Sequence, residues 1–279
     1  MTWTKKDKQY WNEILQWEQS LFQYEANDFE KTYVKWIDQS FGLLPEEIQE
    51  QFFEKLDTWL FHLHSLLQGS QIQNDARERI LTTARVFDSD IEAITDMRRL
   101  SIDKLRYIAD QHAARHRVYS LVQGGIAGTG GPIALGTDFL VMALMNLRAI
   151  QLTAMAYGYE VQTPFEMMSS LKVFHVSTLP SRMKSSGWED LKDHARNSYD
   201  YFYVGNEQLT NHTWLEEPLK QLLKAIFIQL FRKRLISGIP LISMAIGASV
   251  NYQLTRKVTT FGEKYYQYRY LFDKEEQSI

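Results

Sequence analysis

Two uncharged runs constrain this chain more than any other feature: residues 118–137, "VYSLVQGGIAGTGGPIALGT", and residues 235–255, "LISGIPLISMAIGASVNYQLT". An uncharged stretch of roughly 20 residues is either the dry centre of a fold or a segment in contact with hydrocarbon, because that length spans a bilayer core. Small residues recur in both runs at helical spacing. Gly124, Gly128, Pro132 and Gly136 fall four apart in the first, and Ser243, Gly247 and Asn251 do so in the second. Residues four apart share one helix face, so such rows let another backbone approach closely. Glycine costs roughly 1 kcal/mol per helical position relative to alanine. The run must therefore be offset by packing or be partly a loop. "GTGGP", with Gly131 inside it, reads as that loop, and Pro132 restarts the chain as a first helical residue.

The rest of the chain repeats the helical period. Trp11, Ile14, Leu15 and Trp17 give an amphipathic helix over about 7–22, and similar patterns cover 29–40 and the stretch "LLPEEIQEQFFEKLDTWLFHLHSLLQ". "DARERILTTARVFDSDIEAITDMRRL" gives more short helix, and Ser101 can cap a longer one running into the glycine run. One helix is expected over 132–157, stopped by Gly158 in a left-handed conformation. Capping boxes are expected at Thr163 with Glu166 and at Thr213 with Glu216. A helix is read in "SSGWEDLKDHARNSYDYFYV", after a loop at "TLPSRMKSSG", and the apolar C-terminal pattern breaks near Gly238 and Pro240. No segment sustains strand alternation. The expected fold is all-α, a multi-helix bundle with two central Gly/small-residue-rich apolar helices. It forms a single helical domain over 1–279, with 1–70 as an N-terminal helical subregion.

Charge and composition exclude several function classes. The chain has no cysteine, which removes disulfides, thiolate metal sites and thiol nucleophiles and suits a reducing compartment. A net charge of -3 gives no reason to expect nucleic acid, which needs a clustered basic face. The N-terminus lacks the apolar core of a secretion signal, so the expected location is cytoplasmic. One basic cluster, Arg232, Lys233 and Arg234, flanks the second uncharged run, the pattern of a segment resting on an anionic leaflet. Two readings of the runs therefore stand side by side: central helices of a soluble core (118–157 and 235–255), or an amphitropic pair attached to the membrane. Asp138 and Arg148 lie inside the apolar helix and need partners, since an unpaired buried charge costs several kcal/mol. Asn251 is an available mate.

At these residues the chain resembles a known family. "VQGGIAGTGGPIALGTDFLVMALMNLRAIQLTAMAYGYE" is similar to the signature region of the EcsC family, with its glycine run, Gly-Pro, the aspartate in an apolar helix, the arginine ten residues on and the "YGY" exit. "PLISMAIGASVNY" is similar to the family's second signature, and "WEQSLFQYEANDFEKTYVKW" to its founding Bacillus member, so the likeness covers nearly the whole chain. The family is named for a cistron beside genes for an ABC transporter ATPase and its membrane subunit. The resemblance thus implies a cytoplasmic or membrane-associated helical protein, and implies no reaction.

The glycines do not make a phosphate loop, because no Gly-Lys-Ser/Thr follows and no strand flanks them. No Gly-x-Ser-x-Gly nucleophile elbow occurs. "DQHAARH" puts His112 and His116 four apart on one helix face, while His62 and His64 fall on opposite sides of theirs. A metal-dependent hydrolase using His112 and His116 is the alternative reading, although the glutamate that such a site places after its first histidine is Ala113 here. The expected function is non-enzymatic, without a cofactor, acting by helix packing with lipid or a membrane partner.

Overall fold

The structure, a computed structural model, describes residues 3–23, 71–127, 132–179, 181, 184–196 and 240–276. Every regular element among them is helical, and no strand occurs there: α1 (Lys5–Phe22), α2 (Gln71–Arg85), a 3₁₀ helix (Ile94–Arg99), α3 (Ile102–Ala127), α4 (Pro132–Ala156), α5 (Pro164–Thr178), α6 (Lys184–Arg196) and α7 (Pro240–Glu276). The fold is an all-α multi-helix bundle, as the periodicity predicts. The helices expected over 29–40 and in 43–68, the cap at Thr213 and Glu216, and the basic cluster Arg232, Lys233 and Arg234 lie outside the described residues.

α7 is the axis. It begins at Pro240, whose missing amide costs nothing at a first helical position, and continues for 37 residues, roughly 55 Å. α3 runs antiparallel along it. The Tyr270 hydroxyl donates to the Leu100 carbonyl at 3.0 Å, Arg106 pairs with Glu263 at 3.2 Å, and Arg117 Nε donates to Thr259 Oγ1 at 2.9 Å. α4 runs parallel to α7, with Tyr157 beside Tyr270 at 6.3 Å and Gly262 against Ile150, where a Cβ would meet Ile150 Cγ1 at 3.6 Å. α1, α5 and α6 pack on α7 as well. Tyr265, Tyr266, Tyr268 and Tyr270 are consequently all buried, as they are on a helix enclosed by neighbours rather than lying on one.

The helix ends follow local chemistry. α4 stops in a Schellman motif: the Tyr159 amide donates to the Ala154 carbonyl and the Gly158 amide to Met155, both at 3.0 Å, and Gly158 has φ 83°. α1 begins two residues before the expected start. Thr4 caps it, with Thr4 Oγ1 accepting from the Asp7 amide at 3.2 Å and Asp7 accepting from the Thr4 amide at 2.7 Å. Trp11 stacks on Tyr268 at 5.5 Å and Trp17 meets Trp188 and Phe261 edge-on at 4.9 Å, which joins the first helix to α6 and α7.

Two local expectations need correction. At α5, Thr163 Oγ1 accepts from the Glu166 amide at 3.2 Å, but the reciprocal half of the box is not formed, because the Glu166 carboxylate turns inward to Arg269. At α6, the loop is shorter than the glycine suggested. The helix already includes Lys184, Ser185, Ser186 and Gly187, and Gly187 is there for space: a Cβ would lie 2.9 Å from both methyls of Val176 on α5.

Candidate functional site

Three of the sequence-predicted residues come together where α2, α3 and α4 meet. His112 and His116 lie one turn apart on the inner face of α3, both buried, and Arg148 is half-buried on α4. Burial pushes both imidazoles down to about 4. The charges of Arg115, Arg79 and Arg148 add to the shift at His112, and those of Arg148 and His112 at His116. Both rings are therefore neutral at pH 7. Burial, then the Arg79 cation, also holds Arg148 below the ordinary guanidinium value, with Asp75 on α2 opposing. Among the described residues, the charges that act on the pair are those of Arg79, Arg115 and Arg148. Among the described residues no group of three or more His, Cys, Asp or Glu side chains could hold a metal ion.

Immediately beyond His116 the other face of α3 is apolar and open to solvent. Val118 is 59% exposed, Tyr119 57%, Leu121 45% and Val122 53%, while Ser120 between them is buried. These four belong to the first uncharged run. The sequence identifies them as apolar and helical but carries no sign that they face outward. Among the described residues no helix is long and apolar enough to cross a membrane.

A second polar cluster surrounds the "YGY" exit. Arg269 of α7 pairs with Glu166 of α5, and its guanidinium lies 4.0 Å from the Tyr159 ring and 4.9 Å from Phe165. The Tyr159 hydroxyl donates to Asp273 at 3.0 Å, and Arg98 Nε donates to the Gly158 carbonyl at 3.2 Å. Burial raises the Glu166 carboxyl against the pull of Arg269. It would also lower Arg269, but Glu166 first, with Tyr159, Tyr265 and Asp273, more than reverses this and the arginine stays charged. This network ties three elements, α5, α7 and the 3₁₀ helix, to the end of α4.

A serine and a histidine also meet, with no elbow motif to announce them. Ser169 Oγ lies 3.0 Å from His194 Nε2, and Lys172 Nζ lies 3.1 Å from His194 Nδ1. The ammonium can only donate, so Nδ1 accepts and the ring proton sits on Nε2, pointing at Ser169. Ser169 passes its own proton to the Phe165 carbonyl at 2.9 Å. His194 is therefore oriented as a donor to the serine and cannot take its proton. Burial, with Lys172 and Arg269, pushes His194 down to about 3 and keeps it neutral.

The remaining predicted residues are not gathered into one place. Asn251 is buried on α7. Gly124, Gly136 and Gly247 lie within α3, α4 and α7, and Pro132 begins α4. The side chain of Asp138, like Gly128 and Gly131, lies outside the described residues. Among the described residues, Arg79 and Asp75 of α2 act electrostatically on Arg148.

The fold and these motifs define an all-α helical bundle protein. The chain belongs to the EcsC protein family, whose model matches residues 8–271. It is similar to the uncharacterized protein YdbA of Bacillus subtilis (strain 168), with 24% identity over 235 residues, covering 83% of this chain and 81% of that protein. No solved structure matches it.

Proposed function

We propose that the chain is a non-enzymatic peripheral protein that docks on the anionic face of a cytoplasmic membrane through the uncharged end of α3. The observation that carries the reading is the exposure of Val118, Tyr119, Leu121 and Val122 together on that end. A contiguous apolar patch on a globular chain marks an interaction surface. Arg115 and Arg117 precede the patch directly, and cations bordering an apolar helix face favour anionic lipid. Tyr119 is the residue type suited to the headgroup level, with an apolar ring and a polar tip. The cysteine-free composition fits the reducing side of the membrane.

Flotation of the full-length protein with phosphatidylglycerol-containing vesicles tests this. The protein co-floats at low salt, is partly released at high salt, and loses most of its binding on Leu121→Asp. Protein that stays wholly in the soluble fraction at low salt contradicts the proposal and favours a membrane protein as the partner of the same face.

A further inference from the structure

We infer that the solvent side of α3 is a short coiled-coil seam that pairs, in parallel, with a second copy of this chain. The inference does not rest on the membrane reading, which concerns only the end of the helix.

The first observation is spacing. α3 already has a core side, where Ile102, Leu105, Ile108, Ala109 and Ala113 are buried. On the opposite side Tyr107, Gln111, Ala114, Val118 and Leu121 are all exposed, Tyr107 at 52%. Their separations alternate four, three, four and three, the a/d rhythm of two helices wound together. Packing in the bundle does not account for this row, because none of it faces the core. The row is roughly 21 Å long, and the bundle already holds α3 helical, so a partner need not supply the cost of forming it.

The second observation is charge. With Gln111 and Val118 at a positions and Tyr107, Ala114 and Leu121 at d, Asp110 takes a g position and Arg115 the following e position. In a parallel pair a g residue meets the e residue five places further along the other helix. Asp110 and Arg115 are five places apart and both are exposed, so a second copy sets Asp110 of each chain against Arg115 of the other. An antiparallel pair places g against g and e against e, which keeps these two residues on opposite sides of the seam. The charges therefore select the parallel arrangement. Gln111, at an a position, carries an amide that both donates and accepts, so it matches its own copy across the two-fold axis and fixes the register. Five seam residues per copy are far fewer than the about 20–30 a side of a standard interface, so the pair is weak in free solution. Both ends of α3 then point the same way, with Tyr119 and Val122, which fall outside the row, at the same end in each copy.

The cysteine-free sequence supplies the test. In a parallel two-fold pair each seam residue faces its own copy, within reach of a disulfide. Full-length Gln111→Cys and Ala114→Cys are oxidised at high protein concentration without lipid, with Val86→Cys, 80% exposed and off α3, as the control for random collision. Both seam variants cross-link as dimers and the control does not. Adding Arg115→Glu to Ala114→Cys replaces two attractions by two repulsions and lowers the cross-linked fraction about tenfold, and adding Asp110→Lys as well restores it. Asp110→Lys also loses the 3.6 Å contact with Arg106, so melts check that each variant folds, and the effect of Arg115→Glu at its exposed position carries the test if the combined exchange folds poorly. Cross-linking of neither seam variant, or cross-linking of the control to the same extent, overturns the inference and leaves the membrane reading standing. Cross-linking indifferent to Arg115→Glu overturns the parallel pairing. Cross-linking by the seam variants, with no flotation of the wild type on anionic vesicles, supports the seam and removes the membrane reading.

Discussion

Gly158→Ala isolates the local chemistry that ends α4. At φ 83° an L-residue pays about 1–2 kcal/mol that glycine does not. The new methyl would also lie 2.6 Å from Arg98 Cγ, 3.2 Å from the Arg98 amide nitrogen and 3.3 Å from the Ile94 carbonyl oxygen. Two of these are backbone atoms of the 3₁₀ helix. The third belongs to a side chain held by the Gly158 carbonyl, by the Tyr159 ring at 4.5 Å and by Asp273 at 3.7 Å. Forcing a methyl into a packed site costs about 1–3 kcal/mol, so the total is about 2–5 kcal/mol. In a chain of this size each kcal/mol lowers the melting temperature by roughly 2–4 °C. Thermal melts followed by circular dichroism read this directly. Arg98→Ala separates the contributions: in a double-mutant cycle the contact with the Arg98 side chain couples to that change, and the backbone contacts and the left-handed part do not. A Gly158→Ala protein that melts with the wild type refutes the reasoning.

Other consequences are accessible to the same methods. His112, His116 and His194 fold with lowered values, about 4, about 4 and about 3. Below the ordinary histidine value of about 6.5 the unfolded chain binds protons that the folded chain refuses, so stability present above that pH is lost as the pH falls, at up to about 1.4 kcal/mol per pH unit for each ring. The raised carboxyls Glu166, Glu263 and Asp273 work in the opposite sense. Comparing melts at pH 7 and pH 5 between the wild type and a triple His→Gln variant isolates the histidine part, and equal slopes would contradict it. Arg269→Met alone strands the buried Glu166 carboxylate and costs about 3–5 kcal/mol in denaturant unfolding, while adding Glu166→Leu restores much of it; strict additivity of the two changes would count against a coupled pair. Gly262→Ala is tolerated, because its Cβ reaches only ordinary contact with Ile150, whereas Gly262→Leu wedges α7 off α4 and lowers the melting temperature.

What the sequence made legible was governed by local rules. Pro132, Gly158 and Pro240 act on their own turn of backbone, and the helices begin or end at them. Where an end depends on a distant partner, the pattern misleads: Thr163 and Glu166 have capping-box spacing, but a buried arginine 103 residues away claims the carboxylate. Likewise Gly187 looks like a loop residue and is a helix contact, since only the position of Val176 reveals the need for space. Gly262 sits at the described α4–α7 crossing but belongs to no row of four-spaced glycines, so no local pattern marks it. His112 and His116 were visible as a pair. Their setting was not, because Arg79 and Arg148 arrive from α2 and α4 by tertiary packing. The outward face of Val118, Tyr119, Leu121 and Val122 is equally a tertiary fact, since apolar residues on a helix say nothing of which neighbour covers them.

The absence of cysteine makes the central claim open to a single labelling measurement. A polarity-sensitive fluorophore attached at Val122→Cys reports the tip of α3, and one at Val86→Cys, 80% exposed after α2, serves as a control on the same molecule. On adding phosphatidylglycerol-containing vesicles, the account predicts a blue-shifted, brighter emission at position 122, reversed by a Leu121→Asp background, and no change at position 86. An unchanged spectrum at position 122, with the protein folded and the vesicles in excess, would contradict docking through this face.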